Sequence, residues 1–172
     1  LTRPILHADE TYYTVLESET VKTYYWVFLS GKHDPYKITL YHHDPSRSGK
    51  VALNFLGDYP GYLHCDMWQA YEQLPKATLV GCWAHVRRKF HEAVPQTASG
   101  KSLAQKGVNY CNRMFYLEQT WENLSKQERY QLRQEKLKPL MQEFFNWCEK
   151  NKTTVLPGSK LGKAINYTLK HQ

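Results

Sequence analysis

The stretch "GYLHCDMWQAYEQL", residues 61–74, runs from a short apolar segment into an acid and then into helical spacing. Leu63, His64 and Cys65 read as the end of a strand that delivers Asp66 to its own C-terminal tip, and 68–74 as a short helix behind it. Pro60-Gly61, just upstream, suits the centre of a type II turn. An aspartate at such a junction is often only a helix N-cap, because its carboxylate accepts backbone N–H bonds well. A second acid beside it would make it half of a chemical site. What surrounds 61–74 therefore decides what Asp66 is for.

Working outward, residues 5–17 ("ILHADETYYTVLE") and 23–30 ("TYYWVFLS") are rich in β-branched and aromatic residues, with "SGKHDP" following as a turn. The second run is apolar almost throughout, as a strand covered on both faces would be. Residues 37–43 ("KITLYHH") give a third strand. In "SRSGKVALNFLGDYPG", Val51, Ala52, Phe55 and Leu56 recur at helical spacing and Gly57 stops the helix. Residues 62–66 make a fourth strand and 77–83 ("ATLVGCW") a fifth. Three strands, helix, strand, helix, strand is the order of a ribonuclease H-like α/β fold, a mixed five-stranded sheet with flanking helices.

The remainder reads as helices. Val86, Phe90 and Val94 form an i, i+4, i+8 stripe over 84–94, ended by Pro95, and the polar break "PQTASGKS" follows. From 102 to 124, Leu103, Gly107, Tyr110, Met114, Leu117, Trp121 and Leu124 make a long core-facing stripe. Ser125 with Glu128 matches a capping box, and the helix behind it to about Lys150 contains Pro139, which should kink or split it. "LPGSK" starts a last helix near 160. The expected organisation is an incomplete ribonuclease H-like core over 1–95 and a helical insertion over 96–158. Residues 159–172 would begin the helical return to the core.

The bulk numbers narrow the partners. Among 172 residues, 41% are hydrophobic and the formal charge is +7, which favours an anionic partner, with nucleic acid first in line. No apolar run approaches the ~20 residues that cross a bilayer. Cysteines 65, 82, 111 and 148 have no paired short spacing and read as reduced cytosolic thiols. The chain opens without Met or a signal-peptide pattern and reads as a piece of something longer.

Asp9 lies in the first strand. In a ribonuclease H-like sheet the first and fourth strands are neighbours, which brings Asp9 beside Asp66. Adjacent carboxylates repel unless a cation sits between them. Hard oxygen ligands with open positions suit Mg²⁺, or Mn²⁺ in its place, and two such ions about 3.5–4 Å apart serve phosphodiester chemistry. The bland alternative is that the two aspartates are separate turn or cap residues.

The wording around the acids carries a resemblance. "HADET" (7–11), "PSRSG" (45–49), "LGDYPGYLHCDMWQAY" (56–71), "GCWAHVRRKFHEA" (81–93) and "LPGSKLGKAINYTL" (156–169) resemble the DDE transposases of the insertion sequence sixty-six family, in the same order over nearly the whole chain. The resemblance implies Asp9 and Asp66 as the first two catalytic and metal-binding acids of a transposase that nicks DNA and transfers the strand. It implies two metal ions in the complete site and a C-x-x-H motif, here Cys82 to His85, before a helical insertion. A third acid, a Glu, follows that insertion in a stretch of the kind "DNN…ER…RP", which this sequence does not contain, so the chain alone is expected to be inactive. Without an insertion, Glu92 would take that place. The implied partners are element-end and target DNA and further copies of the transposase, in a bacterial cytoplasm at the nucleoid and away from membranes. A ribonuclease H-like nuclease without strand transfer and a non-catalytic DNA-binding or assembly module are the alternatives.

Other residues have two readings each. Arg87, Arg88 and Lys89 lie opposite the Val86/Phe90 stripe and suit DNA phosphates, or are a solvated helix face. Arg47 and Lys50 stand where a helix N-terminus would meet phosphate. Trp68 would stack on a base or simply pack. Cys82 and His85 fall short of the three or four ligands zinc takes, His64 and Cys65 would join them only if neighbouring strands align, and a packing or hydrogen-bonding role suits them better than metal binding or a Cys–His nucleophile.

Overall fold

The computed structural model describes residues 2–16, 22–97 and 102–172. Glu17, the end of the expected first strand, and residues 98–101 of the expected polar break lie outside the described residues. The chain folds as two compact units, residues 1–82 and 83–172.

The first unit is the sheet. Its strands are β1 (Ile5–Thr14), β2 (Lys22–Ser30), β3 (Thr39–Asp44), β4 (Tyr62–Cys65) and β5 (Thr78–Gly81), in the order β3-β2-β1-β4-β5. β1–β2 and β2–β3 are antiparallel, β1–β4 and β4–β5 parallel. This is the mixed sheet of the ribonuclease H-like fold, with β1 and β4 side by side. Helix α1 (Gly49–Leu56) crosses between β3 and β4, started by Ser48, whose side chain accepts from the Lys50 N–H, and stopped by Gly57 at φ 53°. Trp26, Leu56, Leu63 and Tyr71 are at most 1% exposed and form the centre of this core. Each such side chain contributes about 1.5–3 kcal/mol by leaving water.

Two local expectations change. Gly61 does not hold the left-handed position of a type II turn, since among the described residues only Gly57 and Met67 have positive φ. Gly61 is needed for room: a Cβ there would run into the Tyr59 ring and stand 2.7 Å from the Pro4 carbonyl. The helix expected over 68–74 shrinks to a 3₁₀ turn at Tyr71–Gln73. Asp66 and the left-handed Met67 spend the first residues on a tight turn, and Pro75 prevents a continuation.

The second unit is helical: α2 (Trp83–Glu92), α3 (Leu103–Thr120), α4 (Lys126–Leu132), α5 (Lys138–Lys152) and α6 (Lys160–Lys170). Phe90, Cys111, Phe144, Cys148 and Ile165 are fully buried at its centre. The expected stripe of α3 is buried at Gly107, Tyr110 and Met114, while Leu103 and Leu124 at its ends are exposed. Ser125 and Glu128 form the capping box in both directions. The run from α4 to α5 is divided just before Pro139 by a π turn at Arg133–Leu137, a wider turn that accommodates the missing proline N–H. Among the described residues no helix is long and apolar enough to cross a membrane.

Candidate active site

The parallel pairing of β1 with β4 runs Ile5↔Tyr62, Leu6↔Leu63, His7↔His64. Continued by two residues, this register sets Asp9 level with Asp66. Asp9 is exposed on β1 and Asp66 is half-buried, the first residue beyond β4. Each carboxylate is steered by a backbone N–H: Glu10 donates to Asp9 Oδ1 at 3.0 Å, and Trp68 to Asp66 Oδ1 at 2.8 Å. The second bond closes an Asx-type turn through Met67 (φ 59°). Asp66 thus does serve its local turn, and that same turn fixes the carboxylate at the strand tip.

A third acid stands here that the sequence reading passed over. Leu6, Ala8 and Glu10 share the inward side of the β1 pleat, and the Glu10 side chain is only 2% exposed. Arg47 donates to Glu10 Oε1 from Nε (3.0 Å) and Nη2 (2.7 Å), and the buried Tyr71 hydroxyl donates to Oε2 at 2.8 Å. Burial pushes the Glu10 carboxyl above its ordinary range; the bonds from Arg47 and Tyr71 pull it down, and the charge of Asp66 pushes it up again. Burial first, then Glu10, drives the Tyr71 hydroxyl far upward. The Arg47 guanidinium lies 4.3 Å from the centre of the Trp68 ring, so it also caps the turn that holds Asp66. The one sequence signal for Glu10 was the alternation in "ILHADE", which sends an acid inward; Arg47 and Tyr71, 37 and 61 residues away, are joined to it only by the fold.

On the outward side, His7 and His64 sit with Nδ1 atoms 2.9 Å apart, their rings edge-on. Desolvation lowers both imidazoles, His7 further through His64.

The sequence pattern of the family described as "Transposase IS66 family" matches residues 1–172. The chain belongs to that family. It is also similar to three proteins of Sinorhizobium fredii (strain NBRC 101917 / NGR234). Uncharacterized protein y4qI is 29% identical over 184 residues, 94% of this chain and 33% of that protein. Uncharacterized protein y4jD is 30% identical over 135 residues, 73% and 26% respectively, and uncharacterized protein y4hP 28% over 148 residues, 76% and 27%. The chain therefore spans about a third or less of the length of these relatives. No solved structure matches.

In this IS66-family chain the expected phosphate-binding cations fall in different settings. Arg47 is 46% exposed at its side chain while held by Glu10, and Lys50 is exposed in the first turn of α1. On α2, Arg87 donates from Nε to Asn112 Oδ1 at 2.6 Å, Lys89 lies 4.5 Å from the Tyr167 ring centre, and Arg88 is exposed. Glu92 is exposed at the end of α2. Trp68 packs against Trp26 and Tyr71. Cys82 extends the β4–β5 ladder, its N–H donating to the Cys65 carbonyl at 2.9 Å, and His85 is buried on α2. Among the described residues no group of three or more His, Cys, Asp and Glu side chains is placed to hold a metal ion. Asp9 and Asp66 each carry hard oxygen donors, the type taken by cations that keep several of their waters.

Proposed function

We propose that the chain carries the first two acids of a DNA transposase and that Asp9 and Asp66 bind the divalent metal, Mg²⁺ or Mn²⁺, of strand cleavage and strand transfer. The observation that supports this reading is the β1–β4 register, which, continued two residues past His7↔His64, puts Asp9 of β1 level with Asp66 just beyond β4, in a chain of a transposase family. Bound there, the metal would supply Lewis-acid activation of the attacking oxygen and stabilisation of the leaving one.

The chain's own residues have separable parts. The backbone N–H groups of Glu10 and Trp68 hold the two carboxylates in place. Arg47, fixed by Glu10 and Trp68, offers its exposed edge to a DNA phosphate, with Lys50 beside it at the start of α1. Arg87, Arg88 and Lys89 supply further phosphate contacts on α2. A glutamate outside residues 1–172 completes the acidic set, with Glu92 the lesser candidate, and without it the chain does not turn over. In this reading residues 1–95 belong to the catalytic core, 96–158 form a helical insertion and 159–172 lead back to the core. DNA ends and target are the substrates, further copies complete the assembly, and the protein works at the bacterial nucleoid.

Calorimetric titration with Mn²⁺ tests the core of the proposal. The unaltered chain should bind weakly, in the millimolar range typical of an incomplete hard-donor site, and the Asp9→Asn/Asp66→Asn double variant should not. Equal binding by both proteins would remove Asp9 and Asp66 as a metal pair.

A further inference from the structure

The helical unit carries a second stripe on α3 that does not join its core. Asn112, Phe115, Tyr116 and Gln119 follow i, i+3, i+4, i+7 spacing and therefore share one face. Phe115 is 42% and Tyr116 65% exposed. Across from them α2 contributes Ala84 and Arg87, one turn apart. Together the six line an open cleft of about 490 Å³, within the usual size of a site for a small molecule or one nucleotide.

The chemistry of this lining is specific. Two accessible aromatic rings offer faces for stacking, and two carboxamides offer paired donors and acceptors. The Arg87 guanidinium is turned by its Nε bond to Asn112, and that partner is neutral, so its charge is not consumed within the cleft. Ala84 adds only a methyl group to the lining. An amphipathic helix from a protein would bring aliphatic side chains, which cannot bond the Asn112 amide nitrogen, the Gln119 amide or the guanidinium beyond its Nε–Asn112 bond, and this costs binding. Intact duplex would use Arg87 alone, because stacked, paired bases have no free face for Phe115 or Tyr116.

We infer that this cleft binds one unpaired nucleotide of single-stranded DNA, its base stacked on Phe115 or Tyr116, its edge bonded by Asn112 or Gln119, and its phosphate held by Arg87. Base–aromatic stacking tolerates any base, so the cleft selects strandedness before sequence. The proposed transposase function enters only as the reason for DNA; the cleft lies wholly in the unit of residues 83–172, apart from Asp9 and Asp66 in the first.

The test uses the full chain and a short oligonucleotide bearing the fluorescent base 2-aminopurine, with a blunt duplex of the same sequence for comparison. The single strand should bind more tightly than the duplex, with quenching of the fluorescent base. Phe115→Ala or Tyr116→Ala should weaken that binding by about fivefold to a hundredfold without lowering the melting temperature. Tyr116→Phe should retain it, and Arg87→Gln should flatten the dependence of log K on log salt by about 0.7, the loss of one single-strand phosphate contact. The Asp9→Asn/Asp66→Asn variant should bind the oligonucleotide like the unaltered chain, which separates this inference from the metal proposal. Preference for duplex, or no quenching on binding, overturns the inference. So does unchanged affinity when both Phe115 and Tyr116 are replaced by Ala.

Discussion

Glu10 and Arg47 meet through two hydrogen bonds to a single oxygen, Oε1, at 3.0 and 2.7 Å, and the acid's side chain is almost entirely out of water while the base's is about half in it. With Tyr71 on the other oxygen, Glu10 ties β1, the segment before α1 and the 3₁₀ turn into one piece directly beside Asp66. Removing the carboxyl strands a buried Tyr71 hydroxyl and loosens the guanidinium over Trp68. Glu10→Ala should cost about 1.5–3 kcal/mol in urea unfolding, the range for hydrogen bonds to charged groups. Glu10→Gln, which keeps an acceptor for Tyr71, should cost less. Equal stability of Glu10→Ala and the unaltered chain would show that the cluster holds nothing together.

The strands that carry Asp9 and lead to Asp66 were legible in the sequence because β-strand pattern and turn chemistry are local, whereas the pairing of the two acids in one site was an expectation from the family resemblance. The β1–β4 adjacency followed from element order alone. Glu10 was not legible as a site residue: inward alternation marks it, but a buried acid is explained only by partners, and Arg47 and Tyr71 arrive from distant turns. Arg47 was read as a helix-start cation for the same reason, its place being set by β1 and Trp68 rather than by α1. The failed type II turn at Pro60-Gly61 is another such case, since glycine serves there to admit the Tyr59 ring and the sequence cannot say which of its uses applies. In α3 the periodicity found the buried stripe, yet Phe115 and Tyr116 fell outside it and needed the position of α2 to acquire meaning.

Two helical glycines should respond unequally to alanine. Alanine in a helix interior is intrinsically favoured by about 0.5–1 kcal/mol. At Gly107 the new methyl would press into the Phe90 ring, with Cγ at 2.7 Å, so α2 and α3 must part or the ring must turn. Overpacking of that kind costs about 1–3 kcal/mol, and Gly107→Ala should be net destabilising. At Gly162 the obstacles are backbone, the Leu156 carbonyl and Pro157 with its Cα at 2.9 Å, which cannot rotate aside. Gly162→Ala should lose more stability than Gly107→Ala in thermal melts. The reverse order would mean that the Leu156–Pro157 turn shifts more easily than Phe90.

The His7–His64 pair gives the fold an acid-side dependence. One Nδ1 must donate and the other accept, so at least one ring is neutral, and full protonation would set two cations at hydrogen-bond distance. Burial already holds both below the ordinary histidine value of 6.5. In the unfolded chain both titrate near 6.5, so below that pH the unfolded state binds more protons and stability falls as pH falls. Melting temperature should therefore decline between pH 7.5 and 5.5, and more steeply in the unaltered chain than in His64→Asn. Parallel declines in the two proteins would exclude the pair as the cause.

The four thiols should divide by reactivity as their surroundings dictate. Cys111 and Cys148 are fully buried and Cys65 is 1% exposed; desolvation raises their thiols to about 12, about 12 and about 11. The attacking species is the thiolate, and at pH 8 a thiol near 11 offers only about one part in a thousand of it, behind a closed core. Cys82, half-buried at the end of the β5 segment, is the one thiol of the four within reach of solvent. An aromatic disulfide reagent at pH 8 should thus consume one equivalent quickly from the folded chain and four in urea, and Cys82→Ser should abolish the fast one. A fast equivalent surviving in Cys82→Ser would mean that one of the three buried thiols, Cys65, Cys111 or Cys148, becomes exposed in solution, and the closed core around it would have to be abandoned.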